Sequence, residues 1–294
     1  MTDESGGPAW AWFGGGVVPF VDARVPIEDR ALQFGESLYE VVGVPRGEPF
    51  RLSEHVSRMQ TAAREIGLGR GVPDLAGWRV IVAELHRREP HHSAILYAQV
   101  TGGTAPRSHV PATAPDPLFF AYLRRYSFPR LAETVRGIAV ITLPDPRWQR
   151  RDLKTPMLLP AVLARRDALA RGAEEAIFVG QDGLVNEGAV STVFAVHGRT
   201  VATPPANQRI LEGISTRVVE EICRDAGVAF SVRPLPLADL RRADELFIAS
   251  TTALLMPVVR LDGDPVGSGG PGKLTLDLAS RFQRVFWGAA GPPR

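Results

Sequence analysis

Residues 117–143 read PLFFAYLRRYSFPRLAETVRGIAVITL. Pro117–Leu123 and Val135–Leu143 are apolar runs with the aromatic and β-branched content of strands. Between them lies Arg124–Pro129, short, charged and closed by a proline, which reads as a linker. The division therefore predicts a small domain over 1–124, a connection over 125–130 and a larger domain over 131–294. Towards the N-terminus, residues 1–10 read as a loose tail and Gly14-Gly15-Gly16 as a turn between two short strands. Leu38–Val44 reads as a strand, followed by Pro45-Arg46-Gly47 as a hairpin signal. Ser53 is the expected N-cap of a helix over Glu54–Ile66. A second helix is expected over Leu75–Arg88 and a strand over Ala94–Thr101. Towards the C-terminus, helices are expected over Pro156–Arg171, Ser215–Gly227, Leu237–Arg241 and Lys273–Trp287. Strands are expected over Glu175–Gly180, Gly188–Val196 and Glu245–Ala249. Strands and helices follow no regular alternation and no repeat is present, so the fold class is α+β.

The chain has 294 residues, 45% of them hydrophobic and 22% charged, which excludes a disordered or collagen-like protein. Its net charge of +2 comes from intermixed acids and bases, without the basic stripe that a nucleic-acid backbone requires. No run approaches the ~18 apolar residues of a membrane span. The opening MTDESGG is acidic and polar, unlike a signal peptide, and Cys223 is the single cysteine. A cytoplasmic location is the expectation, with Cys223 as a small core residue. His86, His91 and His92 lack a fourth ligand at metal spacing, so no metal is expected.

Only two of the 34 basic side chains are lysines, Lys154 and Lys273. Lys273 follows a glycine-rich loop and reads as a solvated amine. Lys154 stands between the charged Arg147-Trp148-Gln149-Arg150-Arg151-Asp152 and an apolar helix. Partial desolvation and neighbouring cations there favour the neutral amine that a Schiff base requires.

The surrounding segments resemble the class IV, fold-type IV aminotransferases, which use pyridoxal 5′-phosphate. Arg147-Trp148 through Asp152-Leu153-Lys154 matches the family's lysine segment, and Glu187, 33 residues later in Val185-Asn186-Glu187-Gly188, matches its glutamate. The resemblance implies a small α/β N-terminal domain and a larger pseudobarrel C-terminal domain. It implies that Lys154 is the Schiff-base and catalytic residue and that Glu187 faces the pyridine nitrogen. His55-Val56-Ser57-Arg58, Gly213-Ile214-Ser215 and Ser250-Thr251-Thr252 match the phosphate-binding segments. Arg58, Ile214, Ser215, Ser250 and Thr251 are thereby implicated, and Leu211 is the residue implied to pack on the cofactor ring. Taken singly, Arg58 also reads as an exposed helix arginine, Ser215 as a plain N-cap and Glu187 as a turn residue.

The resemblance runs from about Val17 to Phe286 and is closest to the D-amino acid aminotransferase branch. In that branch, residues matching Arg107 and His109 reach across a homodimer to bind the substrate carboxylate, with Tyr39 facing the substrate. The implied reaction is ping-pong transamination between a D-amino acid and a 2-oxo acid, with Lys154 carrying the proton. 4-Amino-4-deoxychorismate lyase, branched-chain and (R)-amine transaminases share the fold and stay open as alternatives. Glu36-Ser37 stands where Asp-Gly is usual, and Met157 where many members carry Asn. Gly102 and Thr192 replace larger or more polar residues. These departures bear on substrate range more than on the cofactor.

Overall fold

The structure is a computed structural model that describes residues 7–288 and 291. The chain forms two compact units. One comprises the described residues up to Ser127 together with Leu153–Met157; the other comprises Phe128–Asp152 and the described residues from Leu158 on.

The first unit is built on a five-stranded antiparallel sheet. Its strands are β1 (Trp10–Phe13), β2 (Gly16–Pro19), β3 (Ser37–Pro45), β4 (Ser93–Thr101) and β5 (Leu118–Arg125), in the order β2-β1-β5-β4-β3. The hairpin joining β1 to β2 turns on Gly14 and Gly15, at φ 61° and 90°, conformations that glycine adopts without a Cβ penalty. A short helix, α1 (Arg30–Phe34), precedes β3; α2 (Leu52–Glu65) and α3 (Leu75–Arg88) follow it. Alternation decides which sheet face is covered. Leu38, Val42 and Val44 of β3, Leu96, Ala98 and Val100 of β4, and Phe119, Ala121 and Leu123 of β5 are buried. They form one cluster with Val56, Met59 and Ala63 of α2 and Trp78, Ile81 and Leu85 of α3. The opposite face carries a half-buried row in which Tyr97 stacks on Tyr39 and Tyr122, at 5.8 and 5.2 Å between ring centroids.

The second unit holds a curled, half-barrel mixed sheet. Its strands are β6 (Ile138–Pro144), β7 (Glu175–Val179), β8 (Val185–Gly188), β9 (Thr192–His197), β10 (Thr200–Thr203), β11 (Ala229–Val232), β12 (Glu245–Ser250), β13 (Leu254–Leu261) and β14 (Asp264–Pro265). The order is β11-β10-β9-β12-β13-β6-β7-β8, with β14 paired to β13. Its helices are α4 (Leu131–Thr134), α5 (Leu159–Ala170), α6 (Ile214–Asp225), α7 (Leu237–Arg241) and α8 (Lys273–Trp287). Val140, Val193, Ala195, Leu246, Ile248 and Val258 form the core of one face. Ala161, Ala164 and Ala168 of α5 pack against Ile141, Ala176 and Phe178. Phe194 and Phe247, register partners on β9 and β12, stack at 4.7 Å. No helix among the described residues is long and apolar enough to cross a membrane.

Several local expectations change. Trp10 pairs with Pro19 and the Ala9 amide donates to Glu89, so the end of the expected tail is held in the fold, and its residues 1–6 lie outside the described residues. Ser53 is not a cap: α2 starts at Leu52 behind Arg51, whose φ is 54°, and the Ser53 hydroxyl turns to Glu54. Helix α5 starts at Leu159 rather than Pro156, because the Lys154 carbonyl accepts the Tyr39 amide and holds 153–157 with the first unit. Residues Gly188–Val196 are not one strand: the Gly188 amide bonds the Ser191 carbonyl at 2.7 Å and folds the chain back between β8 and β9. A Cβ on Gly188 would crowd the Ser191 hydroxyl, which would have to turn away. The run expected from Val135 begins at Ile138, after the turn at Gly137. Cys223 is fully buried, and burial pushes its thiol up to about 11.

Trp78 is fully buried, meets Phe119 edge-on at 5.5 Å and leaves its indole N–H without a partner. In denaturant unfolding, Trp78→Ala is expected to cost about 3–5 kcal/mol. Trp78→Phe is expected to cost less, because it removes an unpaired buried donor together with the lost volume.

Candidate active site

The first unit gathers three groups. At the first, Lys154 Nζ lies 3.3 Å from the Tyr39 hydroxyl and 4.3 Å from the centroid of the same ring. Backbone pairing fixes this contact, since the Tyr39 amide donates to the Lys154 carbonyl at 3.0 Å. Among the described residues Lys154 has no carboxylate partner. It is therefore a half-buried amine held by a phenol rather than a counter-ion.

The second group lies one residue along β3, on the covered side of the sheet. Glu40 is 1% exposed and sits where the alternation of Leu38, Val42 and Val44 calls for an apolar side chain. A carboxylate in that position persists only when fully paired. Arg58 grips it with two bonds, Nε to Oε1 at 2.7 Å and Nη2 to Oε2 at 2.8 Å, and His55 Nδ1 stands 2.7 Å from Oε2. Burial alone would raise the Glu40 carboxyl; Arg58 and His55 outweigh it and hold it well below the carboxylate range. Burial lowers the His55 pKa against the pull of Glu40, so the neutral ring donates its Nδ1–H.

The third group is the loop after β4. Phe34 has the Arg107 guanidinium 5.3 Å from its centroid and the His109 ring at 5.3 Å. Arg107 and His109 are both exposed.

In the second unit, Glu187 accepts from Arg147 Nη1 at 2.7 Å and from the Leu211 amide at 3.3 Å. Arg147 is itself clamped by Asp145, at 2.9 and 2.8 Å, and lies 4.3 Å from the Phe178 centroid. Asn186 adds a bond to Asp145 at 2.9 Å. Burial alone would raise the Asp145 carboxyl, and the bonds from Arg147 outweigh it. The chain thus holds Glu187 in an ion pair and orients it through Arg147. Farther along, α6 begins at Gly213 without a side-chain cap, so its leading amides have no side-chain acceptor there. A Cβ on Gly213 would lie 2.9 Å from the hydroxyls of Thr192 and Thr216, which leaves the helix start bare. Ala249 is the register partner of Thr192, so the turn of Ser250 and Thr251 adjoins the same end of the sheet. Ser250 Oγ accepts the Ala253 amide at 3.1 Å. Uncapped amides with adjacent hydroxyls suit a phosphate.

The structure thus joins Tyr39 to Lys154, Glu187 to Leu211, Arg107 to His109 through Phe34, and the start of α6 to the Ser250–Thr251 end of the sheet. Sequence reasoning missed the partners that hold these groups, Glu40 and Arg147. Glu40 had a signal: a lone acid at a covered position of an alternating strand. Asp145-Pro146-Arg147 had none, because Arg147 meets Glu187 across 40 residues of chain.

The Amino-transferase class IV family model matches residues 37–261. The D-alanine aminotransferase of Bacillus licheniformis is 36% identical, over 92% of this chain and 95% of its own. That of Staphylococcus epidermidis is 36% identical, over 90% and 93%. A branched-chain amino acid aminotransferase of T.th., solved with pyridoxamine 5′-phosphate, superposes with TM-score 0.86 at 25% identity, over 96% of this chain and 95% of that one. The chain belongs to the class IV aminotransferases. It is a pyridoxal-phosphate-dependent aminotransferase.

The Glu40 pairing sets a pH dependence. Its folded pKa lies below the ordinary 4.5, so its stabilisation is complete above that value and is lost as pH falls beneath it. Glu40→Gln is expected to lower stability at neutral pH by about 3–5 kcal/mol, since it breaks the buried ion pair with Arg58. Thermal melts of the two proteins should converge as pH falls below 4.5.

Proposed function

We propose that this aminotransferase moves the amino group between a D-amino acid and a 2-oxo acid. The observation that carries the reading is the Arg107–His109 loop. Arg107 has an aromatic neighbour and no carboxylate partner among the described residues, which leaves its planar fork for a substrate carboxylate. The D-alanine aminotransferase relatives, matched over nearly the whole chain, support the same substrate class.

When bound, pyridoxal phosphate supplies the amino-group carrier and the electron sink. Lys154 Nζ, set by the Tyr39 hydroxyl, holds the cofactor, and once displaced takes the proton from the substrate Cα. Glu187, oriented by Arg147, holds the proton on the pyridine nitrogen. Arg58, the leading amides at Ile214 and Ser215 and the hydroxyls of Ser250 and Thr251 bind the phosphate, with Leu211 against the ring. Arg107 and His109 fix the α-carboxylate across a homodimer interface, with Tyr39 of the other subunit. With the carboxylate fixed and one lysine as proton carrier, a single enantiomer presents its Cα–H correctly. A homodimer fits this reading: α5 buries only alanines and leaves Leu159, Val162 and Leu163 exposed at 67, 41 and 52%.

Two measurements test the proposal. Mixed with D-alanine and then L-alanine, the holoenzyme is expected to form pyridoxamine phosphate with the D form, and borohydride is expected to fix the cofactor on Lys154. Turnover of the L form would reject the reading in favour of a branched-chain type, and labelling of Lys273 would end the assignment of Lys154. Arg107→Ala is expected to lower kcat/KM for D-alanine by about 10- to 100-fold, the loss of a charge-assisted pair. Unchanged kcat/KM would separate that loop from the carboxylate.

A further inference from the structure

The loop that carries Arg107 and His109 is exposed and proline-rich, yet a carboxylate trap must be held in place. Its anchor is in α1. Arg30 is 5% exposed, and its guanidinium donates from Nη1 to the Ser108 carbonyl at 2.7 Å and from Nη2 to the His109 carbonyl at 3.0 Å. Its third edge donates from Nε to Glu36 at 2.7 Å. One buried cation thus ties two consecutive carbonyls of the loop to the end of α1.

The anchor is itself fixed. Asp29 caps α1 by accepting the Ala31 amide at 2.8 Å and accepts the Thr101 hydroxyl at 2.7 Å. The Arg30 amide donates to the Gly103 carbonyl at 2.9 Å, so the start and the middle of the connection from β4 are held to the same short helix. Phe34 completes the arrangement, with the guanidinium of Arg30 4.8 Å and that of Arg107 5.3 Å from its centroid. Gly102 makes room: a Cβ there would lie 2.8 Å from a Glu36 carboxylate oxygen and 3.1 Å from Arg30 Cβ. The sequence departures at Glu36 and Gly102 are therefore one feature, in which the longer acid fills the space left by a missing side chain and pairs with Arg30.

We infer that Arg30, steadied by Glu36, is a positioning residue for substrate selection: by holding the Ser108 and His109 carbonyls it presents Arg107 and His109 to the α-carboxylate. This rests on the assignment of that loop to the carboxylate. Arg30 does not touch the substrate, so its effect passes through Arg107 and falls on KM more than on kcat.

The test uses four holoenzymes: wild type, Arg30→Lys, Arg107→Ala and the double variant, assayed with D-alanine. Lysine keeps the charge beside Glu36 but cannot fork to two carbonyls. Arg30→Lys is expected to raise KM about tenfold, the loss of one charge-assisted bond, with a much smaller change in kcat. Cofactor absorbance and melting temperature should stay near wild type. In the Arg107→Ala background the same change should add little, since residues acting as one unit are not additive. Glu36→Gln, which leaves the fork intact, gives a second reading and should raise KM by less than Arg30→Lys. A normal KM in Arg30→Lys, or a full additional tenfold loss in the double variant, would overturn the inference while Arg107→Ala still impairs the enzyme. An Arg107→Ala enzyme with unimpaired D-alanine turnover would instead overturn the carboxylate assignment, and this inference with it.

Discussion

A carboxylate on the covered face of a β-strand is the constraint from which the first unit is organised. Glu40 occupies a position flanked by Leu38 and Val42, both buried, and burial strips it of solvation that only protein partners can replace. It persists because α2 delivers Arg58 and His55, three residues apart and thus on one helix face, to its two oxygens. The pairing therefore sets the register of α2 against β3 more narrowly than apolar packing does. Because side chains alternate across a strand, fixing Glu40 on one face fixes Tyr39 on the other. The phenol that meets Lys154 is thereby steadied by an ion pair one residue along the strand, near enough for the Lys154 charge to act on His55.

A parallel arrangement recurs in the second unit. Glu187 is held by Arg147, and Arg147 by Asp145, so an arginine set between two acids stiffens one by way of the other. Arginine suits this use because its five donors form a rigid fork with a charge that does not titrate. A chain with 34 basic residues, all but Lys154 and Lys273 arginine, has ample means of building such brackets. An amine that must lose its proton during turnover has to be the exception.

Much of this was legible in the sequence, and for reasons that differ by element. Leu75–Arg88, Leu237–Arg241 and Lys273–Trp287 were readable end to end because their apolar spacing stops at the helix ends. The start of α2 was not, because an arginine at φ 54° opens it in place of a side-chain cap, and Ser53 offered a false one. Gly188–Val196 misled because both halves are apolar; the break comes from one hydrogen bond, Gly188 to Ser191, that composition cannot show. The candidate lysine, glutamate and helix start were visible through a family pattern. Their holders were not, since Arg147 to Glu187 and Arg30 to His109 are contacts between segments 40 and 79 residues apart. Local periodicity carries no information at that range.

The space shared by Gly102 and Glu36 has an evolutionary reading. A side chain at 102 would collide with the acid at 36, and shortening that acid alone would leave Arg30 reaching across a gap. The two positions are therefore coupled, so the cost of a change at one depends on the residue at the other. A lineage moving between this arrangement and one with a bulkier residue at 102 is eased when both positions change. Stepwise saturation of either site would therefore understate the sequences that paired libraries could reach.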